Sequence, residues 1–91
     1  MLRLDANDVE IIRRWAEHGT GSPFPQEQHL LNRLKHAGYG RFLWCANEEL
    51  EVIKFWAEKE LKGRYGQHEY MLEMEYNLLQ KIDRYLEPLD R

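Results

Sequence analysis

Hydrophobic residues recur along this chain at helical spacing. In VEIIRRWAEH, residues 9–18, the apolar side chains fall on one half of a helical wheel and the charged ones on the other half. Asn7 is followed three positions later by Glu10, which is a capping-box spacing, and Gly19 follows the last apolar residue. The pattern therefore predicts a first helix over about residues 7–18.

Three more helices are predicted after the break GTGSPFPQ. The second covers about 24–37 and ends at Gly38. The third runs to about Lys62, and two starts remain open for it: near Arg41, because Phe42 shares a helical spacing with later apolar residues, or near Asn47. We favour a short helical turn before a start at Asn47.

The fourth helix is predicted from His68 to Leu86, with Pro88 closing it. Its apolar residues should face inward. They are Met71, Met74, Leu78, Leu79, Ile82 and Tyr85.

The predicted fold class is all-α, because no segment shows strand alternation between hairpin turns. Short connections favour two antiparallel helical hairpins in a small four-helix domain. We expect a single domain over 1–91, with hairpin one at about 5–37, a connector at 38–46 and hairpin two at about 47–87.

The chain repeats part of its pattern. Residues 9–18 match LEVIKFWAEK, residues 50–59, with identical Trp-Ala-Glu in register at an offset of 41, and EQHLLNRL, residues 27–34, matches EYNLLQKI, residues 75–82, at an offset of 48. The two offsets differ by seven residues, about two helical turns, so equivalent side chains keep the same facing. We interpret the hairpins as an internal duplication with an approximate twofold; convergence of two unrelated amphipathic hairpins is the alternative.

Four polar or amphipathic residues of the repeat raise a packing problem. On the helical wheel, Glu27 and Glu75 each fall between leucine or isoleucine residues that are predicted to face the core. A carboxylate buried there needs a hydrogen-bonding or charged partner. Trp15 and Trp56 each carry an indole N–H that needs an acceptor when it is buried. We expect the glutamates to accept from the tryptophans or to cap nearby backbone groups.

Charge and composition narrow the function classes. The net charge is −3, from 13 basic and 16 acidic residues, which is not the footprint of a protein that binds phosphates nonspecifically. One cysteine, Cys45, cannot form an internal disulfide, and no apolar run reaches the length of a membrane span. The expected location is therefore cytoplasmic, with no membrane contact.

No constellation predicts catalysis, a metal or a cofactor. HEYMLE, residues 68–73, lacks the second histidine of a zinc-protease helix, and no glutamate is followed by histidine three positions later, as di-iron bundles require. Cys45 beside Trp44 fits a small core residue better than a nucleophile. We therefore expect a protein that is not an enzyme.

Two surfaces carry the remaining functional hypotheses. Phe55 lies outside the apolar arc of its helix, and Leu72 and Tyr76 widen the apolar arc of the fourth helix, so these three residues form the expected interaction surface. The favoured function is that of a protein–protein interaction or assembly module. We expect it to form a homo-oligomer, most simply a dimer, and to bind a partner protein whose identity the sequence does not show. The alternative is a nucleic-acid-associated regulator that uses Arg13, Arg14 and Arg41.

Overall fold

A computed structural model describes residues 1–38, 40–65 and 73–87, with only the backbone described for residues 62–65. It is mostly helical, with one small sheet of two strands. The elements in chain order are β1 (Leu2–Leu4), α1 (Ala6–Gly19), α2 (Gln26–Ala37), β2 (Leu43–Cys45), α3 (Asn47–Tyr65) and α4 (Glu73–Leu86).

The two strands are the main departure from the predicted all-helical chain. β1 and β2 pair antiparallel, with Leu2 opposite Cys45, Arg3 opposite Trp44 and Leu4 opposite Leu43. The expected helical turn before α3 is therefore wrong: Leu43 and Cys45 are buried while Trp44 between them is exposed, which is the alternation of a strand. Three residues of alternation are too few to be recognised without their pairing partner.

The start of α1 is fixed by a capping box that differs from the predicted one. The Asp5 carboxylate accepts from the backbone N–H of Asp8 at 2.9 Å, and the Asp8 carboxylate accepts from the N–H of Asp5 at 3.2 Å. Asp5 directly follows β1, so the helix begins at the first residue that can turn away from the ribbon, two positions before Asn7.

The other helix boundaries match the predicted ones only in part. Of the two starts left open for α3, the structure has the one at Asn47, and this helix continues beyond Lys62 to Tyr65. The predicted segment from His68 to Met71 and the helix stop at Pro88 lie outside the described residues. Met74, expected to face inward, is exposed, because the neighbouring Glu75 is the residue that turns into the core.

The core lies between the four helices and the inner face of the ribbon. Its fully buried members include both tryptophans of the repeat, Trp15 and Trp56, and Leu4 of β1. The most extensive helix contact joins α1 to α3, which belong to different predicted hairpins. None of the helices within the described ranges combines the length and apolarity needed to cross a bilayer.

The crossing of α1 over α3 depends on the absence of a side chain at Gly19. A Cβ at this position would lie 2.7 Å from Trp56 Cα and 2.8 Å from its carbonyl oxygen. These are backbone atoms of a buried helix, so they cannot move aside without separating the two helices.

We expect Gly19→Ala to lower the free energy of unfolding by about 1–3 kcal/mol, the usual cost of overpacking a core. Urea denaturation followed by helical circular dichroism measures this loss. Glu17→Ala, at an exposed position of the same helix, is the control and should change stability little. Equal stability of the two variants would contradict the close crossing.

Candidate functional site

One face of the two-stranded ribbon carries large side chains that the core does not cover. We call this surface the ribbon outer face; it consists of Met1, Arg3, Phe42 and Trp44. Met1 is 69% exposed, Phe42 51% and Trp44 46%. The Arg3 guanidinium lies over the Phe42 ring, 4.6 Å from its centroid, so a cation and an aromatic ring are held together across the two strands.

The residue types of this face are those enriched in protein–protein interfaces. Aromatic residues, Met and Arg are the types enriched in protein–protein interfaces, and Trp and Arg recur among the side chains that dominate binding energy. The strand alternation forces these residues outward, because Leu4, Leu43 and Cys45 occupy the inner face. The exposed aromatics are thus a consequence of the ribbon pairing.

A cleft of about 610 Å³ lies between α2 and the start of β2. We call it the basic cleft. Its polar lining consists of His29, Asn32, Arg33, His36 and Arg41. Ala37, Phe42 and Leu43 complete the lining, and none of the described lining residues is acidic.

Arg33 is held rigidly at the back of the basic cleft. Its guanidinium is hydrogen-bonded to the buried carboxylate of Glu49 and donates to the carbonyl oxygen of Trp44. The same carboxylate accepts from the backbone N–H of Ala46 at 3.0 Å, at the start of α3. Arg33 therefore ties α2 to β2 and to the first turn of α3, while Arg41 remains exposed at the rim.

A smaller cleft of about 460 Å³ is lined by residues of α4. Asn77, Gln80, Lys81 and Arg84 line it at the positions that lie 48 residues after His29, Asn32, Arg33 and His36. The correspondence extends to the ion pair, since Lys81 binds Asp8 at 2.9 Å and Asp8 lies 41 residues before Glu49. Tyr76 completes this cleft.

Two hydrogen bonds between a tryptophan and a glutamate join the halves of the chain. The Trp15 indole N–H donates to Glu75 at 2.8 Å, and the Trp56 indole N–H donates to Glu27 at 2.6 Å. These are the four residues that the sequence marked as a packing problem, and each tryptophan takes its acceptor from the other half. α1 is thereby tied to α4, and α3 to α2.

The two glutamates differ in their surroundings. Glu75 is 1% exposed, whereas Glu27 is partly exposed and also accepts from the backbone N–H groups of Gly21 and Ser22. Burial alone would raise the pKa of Glu27. The hydrogen bonds from Trp56 and this backbone, with the charge of Lys59, outweigh burial, so the pKa lies below its ordinary value of 4.5.

The two described residues of the expected interaction surface differ in burial. Phe55 is partly buried and packs against the core, and Tyr76 is 52% exposed on α4. Leu72 lies outside the described residues. A role for these residues in binding stays a prediction.

The three arginines of the nucleic-acid hypothesis have different environments. Arg13 donates to the Gly38 carbonyl oxygen at 3.1 Å and lies 3.4 Å from Glu10, so it holds the end of α2. Arg14 is exposed on α1, and Arg41 lines the basic cleft. Only Arg41 of the three lines this cleft.

Cys45 has the environment of a core residue. It is fully buried on the inner face of β2, and burial together with the charge of Glu49 raises its pKa from 9.0 to about 12. A thiol with this pKa is a poor nucleophile near neutral pH. No group of three or more His, Cys, Asp or Glu residues within the described part of the chain could hold a metal ion.

Sequence reasoning missed the ribbon outer face. The available signal was weak, because LRL, residues 2–4, alternates apolar and charged residues over only three positions and FLWC, residues 42–45, is apolar throughout. Each segment alone is shorter than the runs from which a strand can be recognised. No protein-family model, no curated protein and no solved structure matches this chain.

A double-mutant cycle measures the buried pair. We expect Trp15→Phe and Glu75→Leu to show a coupling energy of about 0.5–3 kcal/mol, because each single change leaves the other polar group without this partner in the core. Urea denaturation of the two single variants and the double variant gives this energy. The matched cycle Trp56→Phe and Glu27→Leu should give a smaller coupling, since water can reach Glu27. A larger coupling in the second cycle would contradict this difference in burial.

Acidification tests the environment of Glu27. Because its pKa is lowered on folding, the ionised carboxylate contributes stability that is present above its ordinary pKa of 4.5 and is lost as the pH falls through the lower folded value. We expect the wild type to lose more stability than Glu27→Gln between about pH 5 and about pH 3. Parallel loss in both proteins would show that this carboxylate is not favoured in the folded state.

Proposed function

We propose that this protein is a non-enzymatic interaction module that assembles as a homodimer through the ribbon outer face, in the reducing environment of the cytoplasm. The observation that carries the proposal is the exposure of two aromatic side chains on one face of the ribbon, Trp44 in β2 and Phe42 directly before it. Exposed apolar patches of this kind mark interaction sites on small domains. The surface differs from the one expected on α4.

A second copy is the partner that the arrangement favours. Arg3 and Trp44 face each other across the ribbon and are also related by the 41-residue offset, so the ribbon is centred on this pair. An isologous dimer requires a patch that is complementary to itself, and this face carries both a cation, Arg3, and aromatic rings, Phe42 and Trp44, that can pair across a twofold axis. Domains of about this size also gain stability by self-association.

The same proposal includes an internal duplication of a strand–helix–helix unit. Three sets of contacts support it: the ribbon register, the indole–glutamate bonds, and the ion pairs Asp8–Lys81 and Glu49–Arg33. In the indole–glutamate bonds and in the ion pairs, an offset of 41 for one partner and 48 for the other converts one contact into its counterpart. In the ribbon register the offset of 41 alone does so. Chance convergence of helical patterns accounts for apolar matches more easily than for matched polar contacts.

The outer-face variants Phe42→Ser and Trp44→Ser test the dimer. We expect each to weaken self-association at least about tenfold, because removing a central aromatic anchor costs more than about 1.4 kcal/mol of binding free energy. Analytical ultracentrifugation over a dilution series measures the change, with circular dichroism as a check on folding.

Two controls make the test specific. Phe24→Ser removes an exposed aromatic residue outside the ribbon outer face and should leave the dimer unchanged. Tyr76→Ser probes the surface first expected on α4. A wild type that remains monomeric at high concentration would overturn the homodimer, and a dimer lost only with Tyr76→Ser would move the interface to α4.

A further inference from the structure

We propose that the basic cleft binds an acidic peptide segment of a partner protein. The proposal concerns a different surface from the ribbon outer face, although Phe42 lies at the boundary between them. It is based on the charge of the cleft, on its mixed lining and on the rigid support of Arg33.

The charge of the cleft favours carboxylates. Arg41 lines it at an exposed position, the exposed His29 and His36 add ring N–H donors for an anionic oxygen, and none of the described lining residues is acidic. The charge of Arg33 is balanced by Glu49, but its two bonds to Glu49 and Trp44 use only part of a fork of five N–H donors. A planar guanidinium that is already oriented suits bidentate binding of a carboxylate.

The apolar part of the lining distinguishes a peptide from a nucleic acid. Ala37, Phe42 and Leu43 lie beside the cations, so the cleft offers contacts for aliphatic side chains as well as for carboxylates. A nucleic acid would need a longer series of unpaired cations to neutralise successive phosphates. Arg13 is held by Gly38 and Glu10, and Arg33 is paired with Glu49, which leaves few charges for such a series.

The corresponding cleft on α4 provides the comparison within the same molecule. Lys81 and Arg84 stand there in place of Arg33 and His36, so this second cleft is also basic, but Asn77 stands in place of His29. Its described lining comes from α4 alone and has no aliphatic or phenylalanine side chain like those of Ala37, Leu43 and Phe42, so it lacks the contacts for the apolar side chains of the peptide. The acidic segment should therefore bind the basic cleft in preference to this second one.

The test is a titration of the 91-residue protein with a short fluorescein-labelled peptide of alternating glutamate and leucine, followed by fluorescence anisotropy. A peptide with serine in place of every glutamate is the uncharged control. We expect the acidic peptide to bind, the serine peptide to bind at least tenfold more weakly, and binding to weaken with added salt.

Three variants assign the binding to the cleft. Arg41→Gln should weaken binding of the acidic peptide about tenfold, and His29→Asn, which installs the residue type found at position 77, should also weaken it. Arg84→Gln, the matched change at the second cleft, should have no effect. Circular dichroism and ultracentrifugation establish that each variant keeps the fold and association state of the wild type, so failure of the dimer proposal and failure of this one are distinguishable.

Each other outcome overturns the proposal. Equal binding of the acidic and serine peptides would show that the carboxylates are not recognised. Loss of binding in Arg84→Gln but not in Arg41→Gln would place the site on α4. Tighter binding of a labelled single-stranded oligothymidylate, weakened by Arg41→Gln, would assign the cleft to nucleic acid.

Discussion

The fold depends on a carboxylate that cannot remain alone in the core. Glu75 is buried among apolar side chains, and an ionisable group in that position must be hydrogen-bonded if the folded state is to be stable. Its partner, the indole N–H of Trp15, has the same requirement, so one bond satisfies both groups. In the second bond the donor, Trp56, lies in the C-terminal half and the acceptor, Glu27, in the N-terminal half, which is the reverse of the first bond. Separating the halves would leave all four groups without these partners, and this requirement holds α1 against α4 and α3 against α2.

Close packing at the centre follows from the same arrangement. With the tryptophans directed toward acceptors on the opposite half, α1 and α3 lie against each other, and Gly19 allows the backbones to approach at Trp56. The strands before these two helices then meet, and Leu4, Leu43 and Cys45 close the core from that side. Because side chains alternate along a strand, Arg3 and Trp44 must point away from the core. The ribbon outer face and the basic cleft beside it therefore follow from the hydrogen bonding and packing of the core.

The helices could be predicted from the sequence because their signals are local. Apolar residues at helical spacing are visible over ten or more positions, and the shared Trp-Ala-Glu needs no structure to be noticed. The strands could not be predicted, since each has three residues and its partner lies 41 positions away. The partial burial of Phe55 could not be predicted for a related reason: the position of a residue on an isolated helical wheel does not show which neighbouring elements pack against it.

The sequence by itself determined which residues are apolar, where helices form, and which two glutamates and two tryptophans need polar partners, because these properties belong to single residues and to their spacing along one element. The tertiary structure alone decided which tryptophan meets which glutamate, that α1 packs chiefly on α3, and that Met1, Arg3, Phe42 and Trp44 share one face. These features depend on contacts between residues that are far apart in the chain, and a local sequence pattern does not show which distant residues will be in contact. The basic cleft belongs to the same class, since Arg41 meets His29 and Arg33 only after β2 has paired with β1 and α2 has docked beside it.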